Sequence, residues 1–535
     1  MDDASGLVEW REWGEEAFAE ARERERPILL SLVAHWCAEC REMDERTYGD
    51  PSLAAHVGDS FVPIRVDVDE RPRVRDRYNV GGFPSTVFLT PRGEVLTGAT
   101  YLGPEGFRSA VESVRRLWND RGEDAGRVPR ALGAGDPPRG EVGPEIEAHA
   151  LAAIREHFDA ENAGWGAGAK FPLSRTVEFA LTREPEQATA TLDAVAAALL
   201  DEYDGGVHRY AATPSWGEVA TEKLLDTNAG VLRAFSNGYL VTGEQRFREH
   251  AERIVAYLTT TLWTGDAFAA SQAPDAAYYR GTATDRESGE TPPVDRSVYA
   301  GANALAVDAL LAYAATTDDE RAKRYARRAL SHLLDELVDD GVVLHSEGGE
   351  GGLLEDQARL LGATVAAGSV LGDREALGIG IEVADWTVET LFQDGSFVDG
   401  RPVGPGLLDR PLRPIDTTVE VADALCDLAV LAGDDRYREV AREAIGAFAG
   451  ASDRLGAELA GYGAVGARLC ADPLVIRIEE VGSDLHRAAL RMADHEKVVV
   501  PDPGVEGALV ERGEERLGPV GTPRELEGRV SRLLR

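Results

Sequence analysis

The chain has 535 residues, 43% of them hydrophobic, and its 94 acidic side chains outnumber its 57 basic ones to give a net charge of −37. This length is enough for several average domains with sizeable cores. No apolar run approaches the roughly 18 residues of a membrane-spanning helix, and no basic stripe could neutralise phosphates, so we expect neither a membrane nor a nucleic acid as a partner.

The acidic charge is spread along the whole chain, and lysine is rare. Arginine supplies almost all of the basic side chains, because lysine occurs only at Lys170, Lys223, Lys323 and Lys497. A folded chain this acidic repels itself, and high salt relieves that repulsion by screening. The composition therefore predicts a protein of a halophilic archaeon, with an acidic protein of a mesophile as the alternative.

Cysteine content and the amino-terminal residues bear on the compartment. Four cysteines in a chain of this length are too few for a disulfide scaffold. Residues 1–5 are acidic and lack the apolar stretch that is typical of a secretory signal. We therefore expect a cytoplasmic protein.

The first 118 residues alternate between amphipathic and apolar segments. A leading helix is predicted over 11–25, with Trp13, Ala17, Phe18 and Ala21 on one face. The segments that follow predict the order β-α-β-α-β-β-α, which is the order of a thioredoxin-like domain. Their ranges are strand 27–33, a helix to about residue 47, short helix 51–57, strand 61–68, helix 73–79, strand 85–90, strand 95–101 and helix 107–118.

A C-x-x-C motif stands where the first predicted strand gives way to a helix. Cys37 falls at the helix start, where free N–H groups and the helix dipole favour a thiolate, and Cys40 lies inside the first turn. We therefore expect Cys37 to be the exposed, attacking thiol and Cys40 to be the resolving one. Pro84, just before the predicted strand 85–90, is expected to present backbone to a substrate, often as a cis peptide. Trp36 is expected to shield the pair from water.

Neighbouring residues refine this interpretation and leave alternatives open. Glu39 between the cysteines disfavours a thiolate, which favours a reductase-like over a strongly oxidising site. His35 is more typical of a packing or surface residue than of a donor to the thiolate. A zinc half-site is one alternative, although it needs two further ligands. An inactive domain kept for docking is another. We expect no metal and no cofactor.

The middle of the chain is dominated by helices. Residues 119–143 are rich in glycine and proline, which predicts a linker. From 144 to 465 almost every segment has an Ala/Leu-rich helical face, and Thr317 with Glu320 fits a capping box at one helix start. About a dozen helices in a weak repeat predict a closed ring of hairpins, an (α/α)6 toroid.

In the last part of the chain, 466–535, strand-like apolar runs replace the helical pattern, which predicts a small α/β segment. Strands are predicted over 473–478 and 497–500, with a helix over 484–492 between them. A final helix is predicted over 523–534, capped by Thr522. The remaining cysteines carry no motif, since Cys426 lies on an apolar helical face and Cys470 is solitary.

Four amino-terminal segments resemble the spermatogenesis-associated protein 20-like family, long filed as a domain of unknown function. Residues 26–31 are similar to the family's K-P-I-x-L-S, and residues 37–43 stand where it has C-H-W-C-H-V-M. Residues 66–72 resemble V-D-R-E-E-R-P, and residues 81–91 resemble G-G-W-P-L-T-V-F-L-T-P. Members join a thioredoxin-like domain to a six-hairpin barrel similar to those of sugar epimerases and glycosidases. The resemblance implies the same multidomain fold here.

The helical part follows the family order but differs at several polar positions. Ala220 stands for a family His, Thr227 for an Asp, and Ala302 for the Trp of W-N-G, whereas Asn228 and Asn303 are kept. The resemblance therefore implies a thioredoxin domain that keeps the family's motifs and an eroded barrel pocket, that is, one in which several of the family's polar residues are replaced.

Inner helices of such toroids carry acids, histidines and tryptophans around a central sugar pocket. Trp216 could stack on a sugar ring, and His208 or His345 could abstract a proton. Glu222 and Asp226 are predicted to share one helix face at i and i+4 as a pair of carboxylates. The alternatives are chance spacing of acids in an acidic chain and hydrogen-bonded structural histidines. The full set of pocket candidates is His208, Trp216, Glu222, Asp226, His345 and Asp416.

These features together predict an intracellular thiol–disulfide oxidoreductase-like protein, fused to a carbohydrate-enzyme-like helical barrel with an eroded pocket. Its expected partner is a disulfide-containing protein or a small-molecule disulfide, with a sugar as a further ligand of the barrel. One alternative is a sugar-binding or sugar epimerase/isomerase-like protein with a structural thioredoxin domain. The other is an interaction scaffold. The predicted domains are 1–118, the linker 119–143, the barrel 144–465 and the segment 466–535.

Overall fold

The computed structural model describes residues 6–133, 135 and 137–534. The chain forms two compact units: unit 1 comprises the residues up to 135 together with 398–412, and unit 2 comprises 136–397 and 413–535. The expectation that no secretory signal is present rests on residues 1–5, which lie outside the described part. None of the described helices is both long and apolar enough to cross a bilayer.

Unit 1 has the predicted order of elements. The leading helix is shorter than predicted, because extended Gly14 precedes it, and it buries Ala17, Phe18 and Ala21. A π-helical turn at Asp44–Tyr48 prolongs the helix that follows the C-x-x-C motif. The helices are α1 (Glu15–Glu23), α2 (Ala38–Met43), α3 (Pro51–Ser60), α4 (Pro72–Tyr78), α5 (Pro104–Arg121) and α6 (Arg130–Gly133); the strands are β1 (Ile28–Val33), β2 (Val62–Asp67), β3 (Ser85–Leu89) and β4 (Val95–Ala99).

The four strands form one sheet in the order β2-β1-β3-β4. Strand β1 runs parallel to β2, with Leu30 opposite Ile64, and antiparallel to β3, with Leu30 opposite Val87. Every residue of β1 is buried, as expected for a central strand covered on both faces. Strand β4 is half-exposed at the edge. The arrangement is thioredoxin-like and confirms the predicted fold class.

Residues 119–143, predicted as a linker, contain ordered structure. Helix α5 continues to Arg121, and a 3-10 turn covers Gly122–Ala125. Arg127 then exchanges backbone hydrogen bonds with Val95 in β4. Residues 119–133 therefore belong to unit 1, whereas 137–143 belong to unit 2.

Unit 2 is mostly helical. Short strand pairs and two small helices lie in the connections between its longer helices. The helices are α7 (Pro144–His157), α8 (Ser174–Arg183), α9 (Pro185–Ala198), α10 (Leu225–Thr242), α11 (Gln245–Thr260), α12 (Ala276–Arg280), α13 (Ala283–Ser288), α14 (Ala300–Thr317), α15 (Glu320–Glu336), α16 (Leu354–Leu371), α17 (Arg374–Leu391), α18 (Ile415–Ala432), α19 (Arg436–Gly446) and α20 (Ala460–Cys470). The strands are β5 (Tyr210–Ala211), β6 (Val219–Ala220), β7 (Lys223–Leu224), β8 (Ser271–Gln272), β9 (Val294–Asp295), β10 (Val338–Asp339), β11 (Val342–Val343), β12 (Phe392–Gln393) and β13 (Ser396–Phe397).

Six helix pairs close into a ring. The inner helices contact one another in the sequence α8, α10, α14, α16, α18 and α20, and α20 contacts α8 again. Each inner helix also packs on one outer helix: α9, α11, α15, α17, α19 and α7 in the same sequence. At least half of the residues of each inner helix are buried, and in α14 two thirds are. This closed ring is the predicted (α/α)6 toroid.

The capping of one outer helix differs from the prediction. Thr317 is the last residue of α14, and its hydroxyl donates to the Tyr313 carbonyl. Asp319 caps α15 instead, by accepting the N–H of Ala322. The capping-box assignment of Thr317 with Glu320 is therefore wrong. Helix α14 continues through Thr317, and the cap of α15 is Asp319, two residues later.

The carboxy-terminal segment repeats the strand arrangement of unit 1. Its sheet has the order β15-β14-β16-β17, with β14 parallel to β15 and antiparallel to β16. Ser483 caps the helix after the first strand by accepting the N–H of His486, at the positions that Cys37 and Cys40 hold in unit 1. The elements are β14 (Val475–Ile478), α21 (Asp484–Leu490), β15 (Val498–Pro501), β16 (Ala508–Arg512), β17 (Glu515–Val520) and α22 (Pro523–Leu533).

This segment packs at the carboxyl ends of the inner helices. Val498 and Val500 of β15 lie against Val430 and Leu431 at the end of α18, and the His486 ring bonds the Ser369 carbonyl near the end of α16. The connections that run from outer to inner helices therefore lie at the opposite end of the ring. The predicted cap of α22 is confirmed, since Thr522 accepts the Glu525 N–H.

Candidate functional site

The two cysteines of the C-x-x-C motif are joined in a disulfide. Their sulfurs are 2.08 Å apart, and their Cα atoms are 5.3 Å apart. Cys37 and Cys40 are 5% and 3% exposed. The expectation that Cys37 is solvent-exposed is therefore wrong for the oxidised pair, because the disulfide directs its sulfur towards buried Cys40.

Cys37 is the cap of helix α2. Its backbone is extended, and its Sγ accepts the Cys40 N–H at 3.0 Å. This sulfur occupies the place that a Ser or Asp oxygen takes at an ordinary helix start. After reduction, a thiolate there meets unpaired N–H groups and the positive end of the helix dipole.

Trp36 lies against the proline loop, residues 79–84, which ends at the cis proline. Its indole ring meets the Phe83 ring edge-to-face, with 5.7 Å between centroids, and its N–H donates to Asp69 Oδ2 at 2.7 Å. The Phe83–Pro84 peptide is cis. Because Trp36 precedes Cys37 in the chain and Phe83 precedes Pro84, this contact brings the proline loop beside the disulfide. Sequence reasoning placed Asp69 in the segment 66–72 that resembles the family motif, but it did not predict the bond to Trp36.

Hydrogen bonds fix the shape of the proline loop. Asn79 Oδ1 accepts the N–H groups of Gly81 and Gly82 at 2.8 and 3.0 Å. Ser85 Oγ donates to the Gly82 carbonyl at 2.6 Å. The loop is thus tied at both ends, to the end of α4 and to the start of β3.

The ring candidates all lie at the end where outer helices lead into inner ones. His208, Trp216 and Glu222 precede α10, and His345 precedes α16, whereas Asp226 and Asp416 stand in the first turns of α10 and α18. Three amides at equivalent positions hold the connections there. Asn228, Asn303 and Gln357, each the fourth residue of its inner helix, accept the N–H groups of Val207, Phe268 and Val343. The two asparagines that match the family are therefore structural.

His208 and Glu222 are brought together by a short hairpin. The His208 ring bonds the Thr221 carbonyl at 3.0 Å, and the Arg209 guanidinium donates to Glu222 at 3.3 Å. Burial, assisted by the positive charge of Lys223, lowers the pKa of His208 to about 4. The imidazole is therefore neutral at pH 7, and a proton acceptor with this pKa is a weak general base.

Two predictions about these candidates are corrected. Glu222 precedes β7 and lies outside α10, which begins at Leu225, so Glu222 and Asp226 do not share a helix face. The sequence spacing of four is uninformative when a helix starts between the two residues. The Trp216 indole is 8% exposed and donates to the Asn162 carbonyl, which leaves little free ring face for a sugar.

His345 belongs to a buried His–Asp pair. Its Nδ1 lies 2.9 Å from Asp356 Oδ2, and Asp356 Oδ1 accepts the Gly301 N–H at 2.9 Å. The imidazole stacks on the Tyr299 ring, with 4.9 Å between centroids. Sequence reasoning named His345 and missed Asp356 and Tyr299, although Asp356 stands in the first turn of an inner helix. Asp416 is exposed at the start of α18.

A cavity of about 180 Å³ lies inside the ring, and none of the six pocket candidates lines it. Its wall includes ion pairs between neighbouring inner helices, such as Arg233 with Asp308 and Arg359 with Glu420. Lys497 faces it from the carboxy-terminal segment and donates to two backbone carbonyls. Burial lowers the pKa of Lys497 to about 8.

The remaining cysteines are unlike the pair. Burial raises the pKa of the Cys426 thiol to about 12, which makes it unreactive, and Cys470 is exposed. Within the described ranges, no three His, Cys, Asp or Glu side chains are grouped so as to hold a metal ion.

Comparison with known proteins gives three similarities. Residues 1–132 match the family model Thioredox_DsbH, described as "Protein of unknown function, DUF255". Spermatogenesis-associated protein 20 of Homo sapiens is 28% identical over 299 residues, which are 49% of this chain and 38% of that protein. The thiol:disulfide interchange protein DsbD 1 of Pseudomonas aeruginosa is 32% identical over 104 residues, which are 19% of this chain and 17% of that protein.

Among solved structures, a sugar epimerase from a ruminal bacterium superposes with a TM-score of 0.47 at 14% identity, over 56% of this chain and 84% of that one. The matched part spans about two fifths of the length of the human relative. The chain thus joins a thioredoxin-like DUF255 domain to an (α/α)6 ring, and it is a homologue of the spermatogenesis-associated protein 20-like proteins.

Proposed function

We propose that this protein exchanges thiols and disulfides through Cys37 and Cys40. The observation that carries the proposal is the cap geometry: Cys37 Sγ accepts the Cys40 N–H at the start of α2 while bonded to the Cys40 sulfur. The cis peptide before Pro84, next to Trp36, supplies the backbone segment that a substrate chain needs. The similarity of the first domain to a DsbD protein adds support.

The exchange proceeds in two steps. The Cys37 thiolate attacks one sulfur of a substrate disulfide, a mixed disulfide forms, and the other substrate sulfur leaves as a thiolate that takes up a proton. The Cys40 thiolate then attacks the Cys37 sulfur, the mixed disulfide breaks, and the second substrate thiol leaves. Two electrons pass from the pair to the substrate, and a dithiol reductant returns them.

The surroundings support a reductase-like direction and a reducing compartment. Glu39 is exposed between the cysteines, where its negative charge opposes a thiolate. The low cysteine content supports a cytoplasmic location, and the net charge of −37 supports a salt-rich one, as in a halophilic archaeon. The substrate is a disulfide-containing protein or a small-molecule disulfide.

The test is reduction of a protein disulfide, such as insulin, by the full chain with dithiothreitol as the reductant. Cys37→Ser should abolish the activity, and Cys40→Ser should accumulate a mixed disulfide that mass spectrometry detects. Cys470→Ser removes an exposed thiol elsewhere and should change neither result. Full activity in Cys37→Ser would refute the proposal and leave the scaffold interpretation, which a stable co-purifying partner would support.

A second candidate function concerns the ring. We propose that His345 and Asp356, with the Tyr299 ring beside them, take part in binding a polyhydroxylated ligand such as a sugar. The buried His–Asp pair favours this position over His208 and Trp216, whose rings bond backbone carbonyls, and over Glu222, which pairs with Arg209. A monosaccharide screen by thermal shift tests it. His345→Gln should remove any shift, and a screen without shifts would count against a sugar ligand.

A further inference from the structure

The segment 398–412 is separated by more than 260 residues from the rest of unit 1, yet it is part of that unit. It contributes Asp399, a carboxylate whose side chain is 6% exposed and which pairs with two arginines of α4. Arg77 donates to both carboxylate oxygens, at 2.7 and 3.1 Å, and Arg73 donates through Nε at 3.1 Å. Their side chains are 0% and 3% exposed.

Further guanidinium N–H groups of both arginines bond backbone carbonyls of the same segment. Arg77 donates to the carbonyls of Leu407 and Arg410 at 2.9 and 2.7 Å. Arg73 donates to the Leu408 carbonyl at 2.8 Å. Buried guanidinium groups persist only when paired and fully hydrogen-bonded, so these bonds fix the segment and helix α4 relative to each other.

Tyr78, the last residue of α4, completes the contact. Its hydroxyl donates to the Gly93 carbonyl at 3.0 Å and accepts the Leu407 N–H at 3.0 Å. Gly406 adopts φ +68°, and a Cβ there would lie 2.8 Å from the Tyr78 hydroxyl. The close approach of the segment to Tyr78 therefore requires a glycine at this position.

The position of α4 matters because the proline loop starts where α4 ends. Tyr78 is followed directly by Asn79, whose side chain holds Gly81 and Gly82, and the loop reaches Pro84 five residues later. Any rotation of the last turn of α4 would move this loop. The cysteines lie at the start of another element, α2, with Cys37 as its cap and Cys40 in its first turn, and they depend on α4 much less directly.

We propose that Asp399 is a positioning residue that holds α4, and through it the cis-proline loop, in the place where a polypeptide disulfide docks. This inference rests on the proposed function. Two properties of the site then differ in what they need: binding of a substrate backbone needs the loop, whereas oxidation and reduction of the Cys37/Cys40 pair by a small disulfide or dithiol needs only the start of α2. Asp399 affects the binding of a substrate backbone and leaves the redox exchange of the cysteine pair unchanged.

The test compares Asp399→Asn with the unaltered full chain on two substrates. Reduction of insulin should show a kcat/KM lower by about tenfold or more, mainly through KM, because a displaced loop misplaces the substrate chain. Reduction of cystamine, a small disulfide without a peptide backbone, should be unchanged. The midpoint of the Cys37/Cys40 pair in dithiothreitol mixtures, read by thiol alkylation, should also be unchanged.

Three further variants make the result unambiguous. Asp399→Glu keeps the charge and should restore part of the insulin activity, and Asp409→Asn removes an exposed acid of the same segment without effect. Tyr78→Phe removes two hydrogen bonds and keeps the ring, so it should reproduce the selective loss even if Asp399→Asn fails to fold. Equal losses on both substrates, or a shifted midpoint, would overturn the proposal. If the unaltered chain reduces neither substrate, the proposed function itself fails.

Discussion

The backbone N–H of Cys40 donates to Cys37 Sγ at 3.0 Å, so the first sulfur of the pair caps the helix that carries the second. The two sulfurs are therefore unequal in spite of their similar burial. Only Cys37 stands at the positive end of the helix dipole, where unpaired N–H groups stabilise a negative sulfur. The chemistry of the pair follows from this asymmetry.

In the reduced protein, Cys37 should be alkylated before Cys40 by a limiting amount of iodoacetamide. The helix start favours the Cys37 thiolate, whereas Cys40 lies within the first turn and is shielded. Peptide mass spectrometry after short reaction times measures the order. Buried Cys426 serves as the unreactive reference, since burial raises its pKa to about 12. Preferential labelling of Cys40 would contradict the assigned roles.

Glu39→Gln should accelerate alkylation of Cys37 by about two- to fivefold at low salt, because it removes a negative charge beside the developing thiolate. The gain should shrink at 1 M salt, where the screening length falls to about 3 Å. Glu45→Gln, an exposed acid farther along the same stretch, is the matched control and should have no such effect. A rate unchanged by Glu39→Gln at low salt would remove the electrostatic argument for a reductase-like site.

His208→Asn should flatten the acid limb of the stability curve. Burial and Lys223 lower the pKa of His208 from 6.5 to about 4, so the unfolded chain binds the proton first as the pH falls. The stability present above pH 6.5, about 3 kcal/mol, is therefore lost as the pH falls towards 4. Urea unfolding at pH 7 and at pH 4 measures it, and the variant should lose about 3 kcal/mol less than the unaltered chain. Parallel losses in both proteins would refute the assignment.

Lys223→Met should destabilise the ring by about 3 kcal/mol, because it removes the cation that pairs with Asp204 and one of the two buried cations, with Arg286, that pair with Asp201. The Lys223 Nζ is fully buried and lies 2.8 Å from Asp201 and 2.5 Å from Asp204. Against the effect of burial, Lys223 lowers the pKa of Asp201 to about 2. Lys323→Met removes a lysine that pairs with more exposed acids, and it should cost about 1 kcal/mol or less. Chemical denaturation measures the free energy of unfolding of both variants. Equal losses would contradict the view that burial makes the Lys223 ion pairs the more stabilising ones.

Sodium chloride should raise the thermal midpoint of the protein between 0.15 M and 1 M. The acidic side chains outnumber the basic ones by 37, and shortening the screening length from about 8 Å to about 3 Å weakens their repulsion more than it weakens paired charges. The measurement should use sodium chloride and not a sulfate salt, because sulfate is excluded from protein surfaces and stabilises most proteins whatever their charge. A midpoint that falls with sodium chloride would contradict the salt-adapted interpretation.

Sequence patterns predicted the features that depend on neighbours in the chain. The strand–turn–helix around Cys37 is local, so the cap position of its sulfur and the order of unit 1 followed from apolar runs and helix signals. The same local reasoning failed where an element boundary intervened. Glu222 and Asp226 are four apart, but α10 begins at Leu225 between them, and helix boundaries are the least certain part of such predictions.

Contacts between distant parts of the chain were decided only by the tertiary structure. Asp399 meets Arg77 across 322 residues, and Asp356 joins His345 and Gly301 from three different elements. An isolated Asp in a chain with 94 acids carries no signal of its partner. The sequence by itself determined the redox motif and both fold classes, because hydrophobic period and capping act over a few residues. The fold decided which charges are buried together, because burial depends on packing that closes over the whole chain.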